Sequence, residues 1–158
     1  MEAILNEELN QVFENAAVAL ILVDKEGRIK LINKAGEELL VQGNVDVKGK
    51  LAGEAFQCIH AFVNGHVVCG ENKKCPLCPF RNSFEDTYNT GENHYKVHGN
   101  LDIQGEDSTY QLYLLISTSL INISSHQYVL LTIEDITKER DLQNKLKERE
   151  KELEELIE

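Results

Sequence analysis

Positive charge is scarce in this sequence. Lys and Arg number 16 against 27 Asp and Glu, a formal charge of −11 over 158 residues. Such a surface repels phosphate backbones, which argues against nucleic acid as a partner. Long apolar runs are missing as well. The longest, Ala16 to Val23, falls far short of the roughly 20 residues that span a bilayer, so no membrane crossing is expected within this chain. No basic start followed by an apolar stretch marks an export signal, and the expected compartment is the cytoplasm. The motifs of common catalytic sites are absent too: there is no G-x-G-x-x-G, no G-x-x-x-x-G-K-[ST], no H-E-x-x-H and no G-x-S-x-G. Catalysis by this chain is therefore not expected.

Cysteine is rare but concentrated. Cys58, Cys69, Cys75 and Cys78 are all the cysteines there are, and they fall within 21 consecutive residues. In a reducing compartment they are poor candidates for structural disulfides, which leaves ligation or redox chemistry. Cys75-Pro-Leu-Cys78 is a C-x-x-C pair, a spacing that lets one turn of backbone aim two sulfurs at one ion or cluster. Cys69 and Cys58 extend it to a four-thiolate site. The competing readings are four small buried hydrophobes and a reversible disulfide switch at Cys75 and Cys78. Burial is the weaker of these, because Cys69, Cys75 and Cys78 sit among Gly70, Glu71, Asn72, Lys73, Lys74 and two prolines, which is loop composition.

Local residues suit thiolates. Pro79 favours the first position of a helix, which makes Cys78 its N-cap, facing unpaired N–H groups and the positive end of the helix dipole. That setting lowers a thiol pKa. Lys73, Lys74 and Arg81 bring positive charge near. His60, two residues after Cys58, is the substitute ligand if one cysteine does not reach, since alternate side chains of an extended segment share a face; His66 comes next. Zinc with four thiolates and the common oxidised iron–sulfur clusters carry the same net charge, so charge does not choose between them. Both cysteines of the C-x-x-C pair precede proline, a step that also occurs in cluster-binding runs and leans toward iron–sulfur.

Around the cysteines the sequence alternates element types. Asn6 to Asn15 reads as a short amphipathic helix with Leu5, Leu9, Val12 and Phe13 on one face. Ala19 to Asp24 and Arg28 to Ile32, joined across Lys25-Glu-Gly27, read as a β-hairpin. Asn33 heads a helix through Leu40. Pro79 to Thr90 reads as a helix closed by Gly91, with Phe80, Phe84 and Tyr88 on one face. Three strands follow, about His94 to Ile103, Tyr110 to Ile121 and Gln127 to Glu134. Two strands, helices and three strands predict an α+β domain: a five-stranded antiparallel sheet with helices on one face.

The last stretch, Thr137 to Glu158, lacks Gly, Pro and aromatics, and 14 of its 22 residues are charged. It predicts one helix. Leu142, Leu146, Leu153 and Leu156, with Arg149 in the middle slot, follow the spacing of a heptad seam, which suits a two-stranded coiled coil better than a broad core face. The run reaches its last residue without a stop signal, so a longer helix leading to an effector domain is expected.

Several of these segments resemble the PAS sensor family. The likeness lies in Val12-Phe-Glu-Asn-Ala16, in the hairpin Ala19-Leu-Ile-Leu-Val-Asp24-Lys-Glu-Gly27-Arg-Ile-Lys-Leu-Ile-Asn33-Lys-Ala35, and in Leu131-Thr-Ile-Glu-Asp135-Ile-Thr137 at the far end. It covers about residues 10 to 137. It implies a helical cap over 1–15, a sensor domain over 16–136 with a cysteine loop over 53–79, and the start of a signalling coiled-coil helix over 137–158. Some PAS sensors bind an oxygen-labile iron–sulfur cluster through four cysteines in the middle region. That carry-over makes Cys58, Cys69, Cys75 and Cys78 ligands of an iron–sulfur cluster, with zinc as the alternative, and makes the chain a redox or oxygen sensor acting as a homodimer through its last helix. Relatives pass such signals to histidine kinases, nucleotide cyclases or transcription activators. Haem and flavin, used by other relatives, are disfavoured here: 79–91 contain no His, and no flavin motif of the Asn-Cys-Arg-Phe-Leu type surrounds Cys58.

Overall fold

The computed structural model describes residues 2–40, 46–56, 58, 62–63, 66–67, 78–105 and 107–157. A helix, α1 (Glu2–Asn15), leads into strands β1 (Ala19–Val23) and β2 (Ile29–Ile32). The turn between them forms because Asp24 Oδ1 accepts hydrogen bonds from the Glu26 and Arg28 N–H groups at 2.9 and 3.0 Å. Gly27 takes a left-handed φ of 83° there, and a Cβ at that place would stand 3.4 Å from the Phe84 ring.

Three short helices and two short strands then precede the long strands: α2 (Lys34–Glu38), α3 (Ala52–Ala55), β3 (Phe62–Val63), β4 (His66–Val67) and α4 (Pro79–Thr90). Asn33 caps α2, its Oδ1 accepting from Gly36 N–H at 2.9 Å. The same side chain accepts from Leu20 N–H and donates to the carbonyls of Phe13 and Val18, so one fully buried amide ties the end of α1, the start of β1 and the head of α2 together. A buried amide so completely partnered costs little to bury and much to replace. The helix it heads stops at Glu38 rather than at Leu40, because Leu39 turns into a cap with Leu40 packed in the core. The β3–β4 hairpin inside the cysteine region was not expected; strands of two residues leave no periodicity to read.

The sheet is completed by β5 (His94–Gln104), β6 (Thr109–Ile123) and β7 (His126–Asp135). Strand order is β2-β1-β7-β6-β5, antiparallel throughout. One row of side chains, Ala19, Ile133, Ile116 and Val97, crosses four strands in register; Ile32, Ile21, Leu131 and Thr118 form the next. This face meets Phe80 and Phe84 of α4, both buried, together with Leu40, Val47 and Phe56, so the core lies between sheet and helices on one side as expected. Gly91 ends α4 in the left-handed region at φ 78°.

The last helix, α5 (Thr137–Ile157), buries none of its residues. Its seam, Leu142, Leu146, Leu153 and Leu156, is 57–82% exposed in the single chain. Leu9 and Val12 of α1 are exposed as well. No helix is long and apolar enough to cross a membrane among the described residues.

Candidate functional site

The backbone of Cys58 does two things. Its N–H donates to the Gly53 carbonyl at 2.9 Å, closing the turn after α3, and the residue pairs antiparallel with Ile103 as a single bridge on the free edge of β5. The segment is thus extended at Cys58. Cys78 sits 20 residues later at the N-cap of α4, with extended backbone (φ −69°, ψ 119°) and Pro79 in the first turn. Its side chain makes no capping hydrogen bond, so the sulfur is not spent on the helix's own N–H groups.

What brings these two places together is packing. Phe56, two residues before Cys58, and Phe80, two residues after Cys78, stack tilted with ring centroids 5.7 Å apart, both buried. Cys58 and Cys78 are half-buried beside them, packed against the main core. Burial of two phenyl rings, about 2 kcal/mol each or more, therefore fixes the approach of the two cysteine-bearing segments without any metal.

The remaining expected ligands, Cys69, Cys75 and His60, lie outside the described residues, as do Lys73 and Lys74. His66 falls on β4. Among the described residues no three His, Cys, Asp or Glu side chains gather closely enough to hold a metal ion. Arg81, expected to lend charge to the thiolates, engages Glu85 one turn on at 2.9 Å.

The root of α5 is built on one residue of β6. Ile136 N–H donates to the Tyr113 carbonyl at 2.9 Å, Tyr113 N–H donates to Thr137 Oγ1 at 3.1 Å, and the Arg140 guanidinium lies 5.7 Å from the Tyr113 ring centre. Asp135 accepts from the Thr137 N–H at 2.9 Å and from its hydroxyl, so Asp135 caps the start of α5. Burial, and then the negative charge of Asp135, push the Tyr110 hydroxyl above its ordinary pKa of 10.0.

Sequence reading missed two contacts that hold α4 to the sheet. Thr87 and Thr118, both fully buried, stand 2.6 Å apart between helix and β6, and the Thr87 hydroxyl donates to the Glu92 carbonyl at 2.8 Å. His94, read as an ordinary strand residue, meets Asp86 of α4 at 2.6 Å. Neither pair follows a spacing rule: one joins α4 to β5 across the turn between them, and the other joins α4 to β6, 31 residues on.

With the five strands, their order and the flanking helices established, the chain can be set beside known proteins. Residues 7–73 match the family model described as PAS domain. The PAS domain of nitrogen regulation protein NR(II) from Vibrio parahaemolyticus superposes with a TM-score of 0.56 at 14% identity, over 81% of this chain and 97% of that one.

The fold is a PAS fold.

The PAS domain of an HTR-like protein from Haloarcula marismortui agrees, with a TM-score of 0.53 at 18% identity, over 86% of this chain and all of that one. The VqmA dimer of Vibrio cholerae matches at 0.56 and 15% identity; 84% of this chain covers 52% of it. No curated protein matches by sequence. The family model over residues 7–73 and the solved PAS domains agree on the fold, and within its sheet Cys58 lies at one edge while the root of α5 lies on the neighbouring strand pair.

Proposed function

We propose that this chain is a sensory PAS module of a cytoplasmic signal-transduction protein, in which Cys58, Cys69, Cys75 and Cys78 hold an iron–sulfur cluster and α5 pairs with that of a second copy to carry the response toward an effector domain. The module itself is a sensor and not an enzyme. The observation that carries the reading is the Phe56–Phe80 contact, which joins the segments that bear the first and last of four clustered cysteines, each half-buried against the core. Thiolates are the donors that iron–sulfur clusters take, and a bound cluster would supply bonds that oxidants break. The residues of this chain do the rest. Cys58 is tied through its backbone to β5 and Cys78 to the head of α4, so whatever links the two sulfurs links a sheet edge to the helix that covers the sheet. Likeness to a domain of a nitrogen regulation protein and to the VqmA dimer supports signalling and pairing.

Protein purified without oxygen tests this. Brown colour that fades in air, with stoichiometric iron and sulfide, is the expected result, and Cys→Ala at 58, 69, 75 or 78 should each lose most of the metal, because a four-ligand site rarely survives with three. Full occupancy in Cys58→Ala alone would make His60 the fourth ligand. Colourless protein carrying one zinc would replace the sensor by a zinc staple, and colourless protein without metal would refute ligation.

A further inference from the structure

At one end of the sheet, the turn between β1 and β2, the turn between β6 and β7 and the latter half of α4 enclose an open groove of about 630 Å³. Neither Cys58 nor Cys78 lines it. In a chain with an excess of 11 negative charges, this groove reverses the sign: it is lined by Lys25, Lys30 and His126 against a single carboxylate, Asp24. One oxygen of that carboxylate is already engaged, since Asp24 Oδ1 takes the Glu26 and Arg28 N–H groups, and the nearby Glu26 is engaged by Arg28 at 3.3 Å. The lysines are not occupied. Among the described residues neither ammonium has an ion-pair or hydrogen-bond partner, and the hydroxyls of Tyr88 and Tyr128, which also line the groove, have none. His126 is presented by a turn whose two residues, Ser124 and Ser125, hold left-handed φ angles of 48° and 69°, a conformation that non-glycine residues rarely adopt.

We infer that this groove binds a small multivalent anion, a phosphate ester or a polycarboxylate, held by the Lys25 and Lys30 ammonium groups with hydroxyl and imidazole donors around it. The chemistry follows from the donor count. Two ammonium groups against one carboxylate, with amide and hydroxyl donors around them, offer an anion charge-assisted hydrogen bonds, whereas a cation would meet the excess of like charge and an apolar ligand a largely polar lining. Multivalency follows from the two separate ammonium groups, one from the β1–β2 turn and one from β2.

Titration calorimetry of the full chain at low salt, with pyrophosphate, citrate and acetate as probes, decides the matter. Saturable one-to-one binding of pyrophosphate or citrate, absent for acetate and weakening as salt rises, is expected; whichever of the two binds tighter distinguishes a phosphate ligand from a carboxylate one. Lys25→Gln and Lys30→Gln are exposed changes that leave the fold intact by circular dichroism, and each should weaken binding about tenfold, the loss of one charge-assisted hydrogen bond. The inference is overturned if neither multivalent anion binds saturably, or if the double variant binds as the parent does.

Discussion

The contact most exposed to a quantitative test is the hydroxyl relay between α4 and β6. Thr87 has one proton and spends it on the Glu92 carbonyl, so at 2.6 Å Thr118 must be the donor to Thr87, giving a chain Thr118→Thr87→Glu92. The two single substitutions are therefore not equivalent. Thr118→Val removes a donor and leaves Thr87 with its other bond intact, a loss of about 0.5–1.5 kcal/mol for one net hydrogen bond, partly offset by the extra buried methyl. Thr87→Val strands the Thr118 hydroxyl, fully buried and with no other partner among the described residues, and should cost about 1–3 kcal/mol. In the double variant no polar group is stranded. Its cost should fall below the sum of the two by at least about 0.5 kcal/mol. Urea unfolding followed by far-UV circular dichroism, all four proteins at one concentration so that association does not shift the comparison, measures each value. Additivity within about 0.3 kcal/mol, or a Thr118→Val loss larger than that of Thr87→Val, would refute the relay.

Two further outcomes can be measured on α5 and at its root. Leu146→Asp places a charge in the exposed seam and should weaken dimerisation at least about tenfold by analytical ultracentrifugation, while Arg149→Leu, which restores an apolar layer, should tighten it; a parent chain that stays monomeric at high concentration ends the coiled-coil reading. At alkaline pH, Tyr110 holds its proton more firmly folded than unfolded, because burial and then Asp135 disfavour the phenolate. Its contribution to stability is full below about pH 10 and falls as pH climbs through the raised value. Ultraviolet titration of Asp135→Asn, read against Tyr110→Phe to isolate that one ring, should show the Tyr110 transition moved down; an unmoved transition removes Asp135 as a cause.

Much of the fold was legible because it rests on local rules. Asp24 and Gly27 announce a turn by side-chain and backbone chemistry, Asn33 announces a helix head, and Pro79 and Gly91 bracket α4 to the residue, since each end has its own covalent reason. Strands β5, β6 and β7 ran a residue or two beyond expectation, because pairing partners extend a strand past its apolar pattern. The candidate site was legible only in part. Clustering singled out Cys58 and Cys78, but nothing in the spacing says that Phe56 and Phe80 would join their segments, because that contact spans 24 residues and depends on a core not yet formed. The three partners of Asn33 beyond its own helix, the Thr87–Thr118 pair and the His94–Asp86 pair were invisible for the same reason: a polar residue shows its distant partners only when the fold closes.

The arrangement of these contacts bears on how a change at the cysteines reaches α5. Cys58 pairs with Ile103, Ile103 pairs with Tyr110, and three residues further along the same strand Tyr113 holds Ile136 and Thr137. Cys78 heads α4, whose Thr87 meets Thr118, which pairs with Leu131 of the strand that runs into Asp135. Both lines end at the root of α5, one from each of the two strands that meet there. That helix buries none of its residues, and its polar ties to the domain lie at its root and in its first turn. Beyond them it projects as a rod about 30 Å long, so a tilt of about 10° at Tyr113 displaces the far end by about 5 Å. A domain that grips its last helix only by the root needs no large internal rearrangement to move it; a small shift in the β6–β7 pair suffices, and both cysteine-bearing segments bear on that pair.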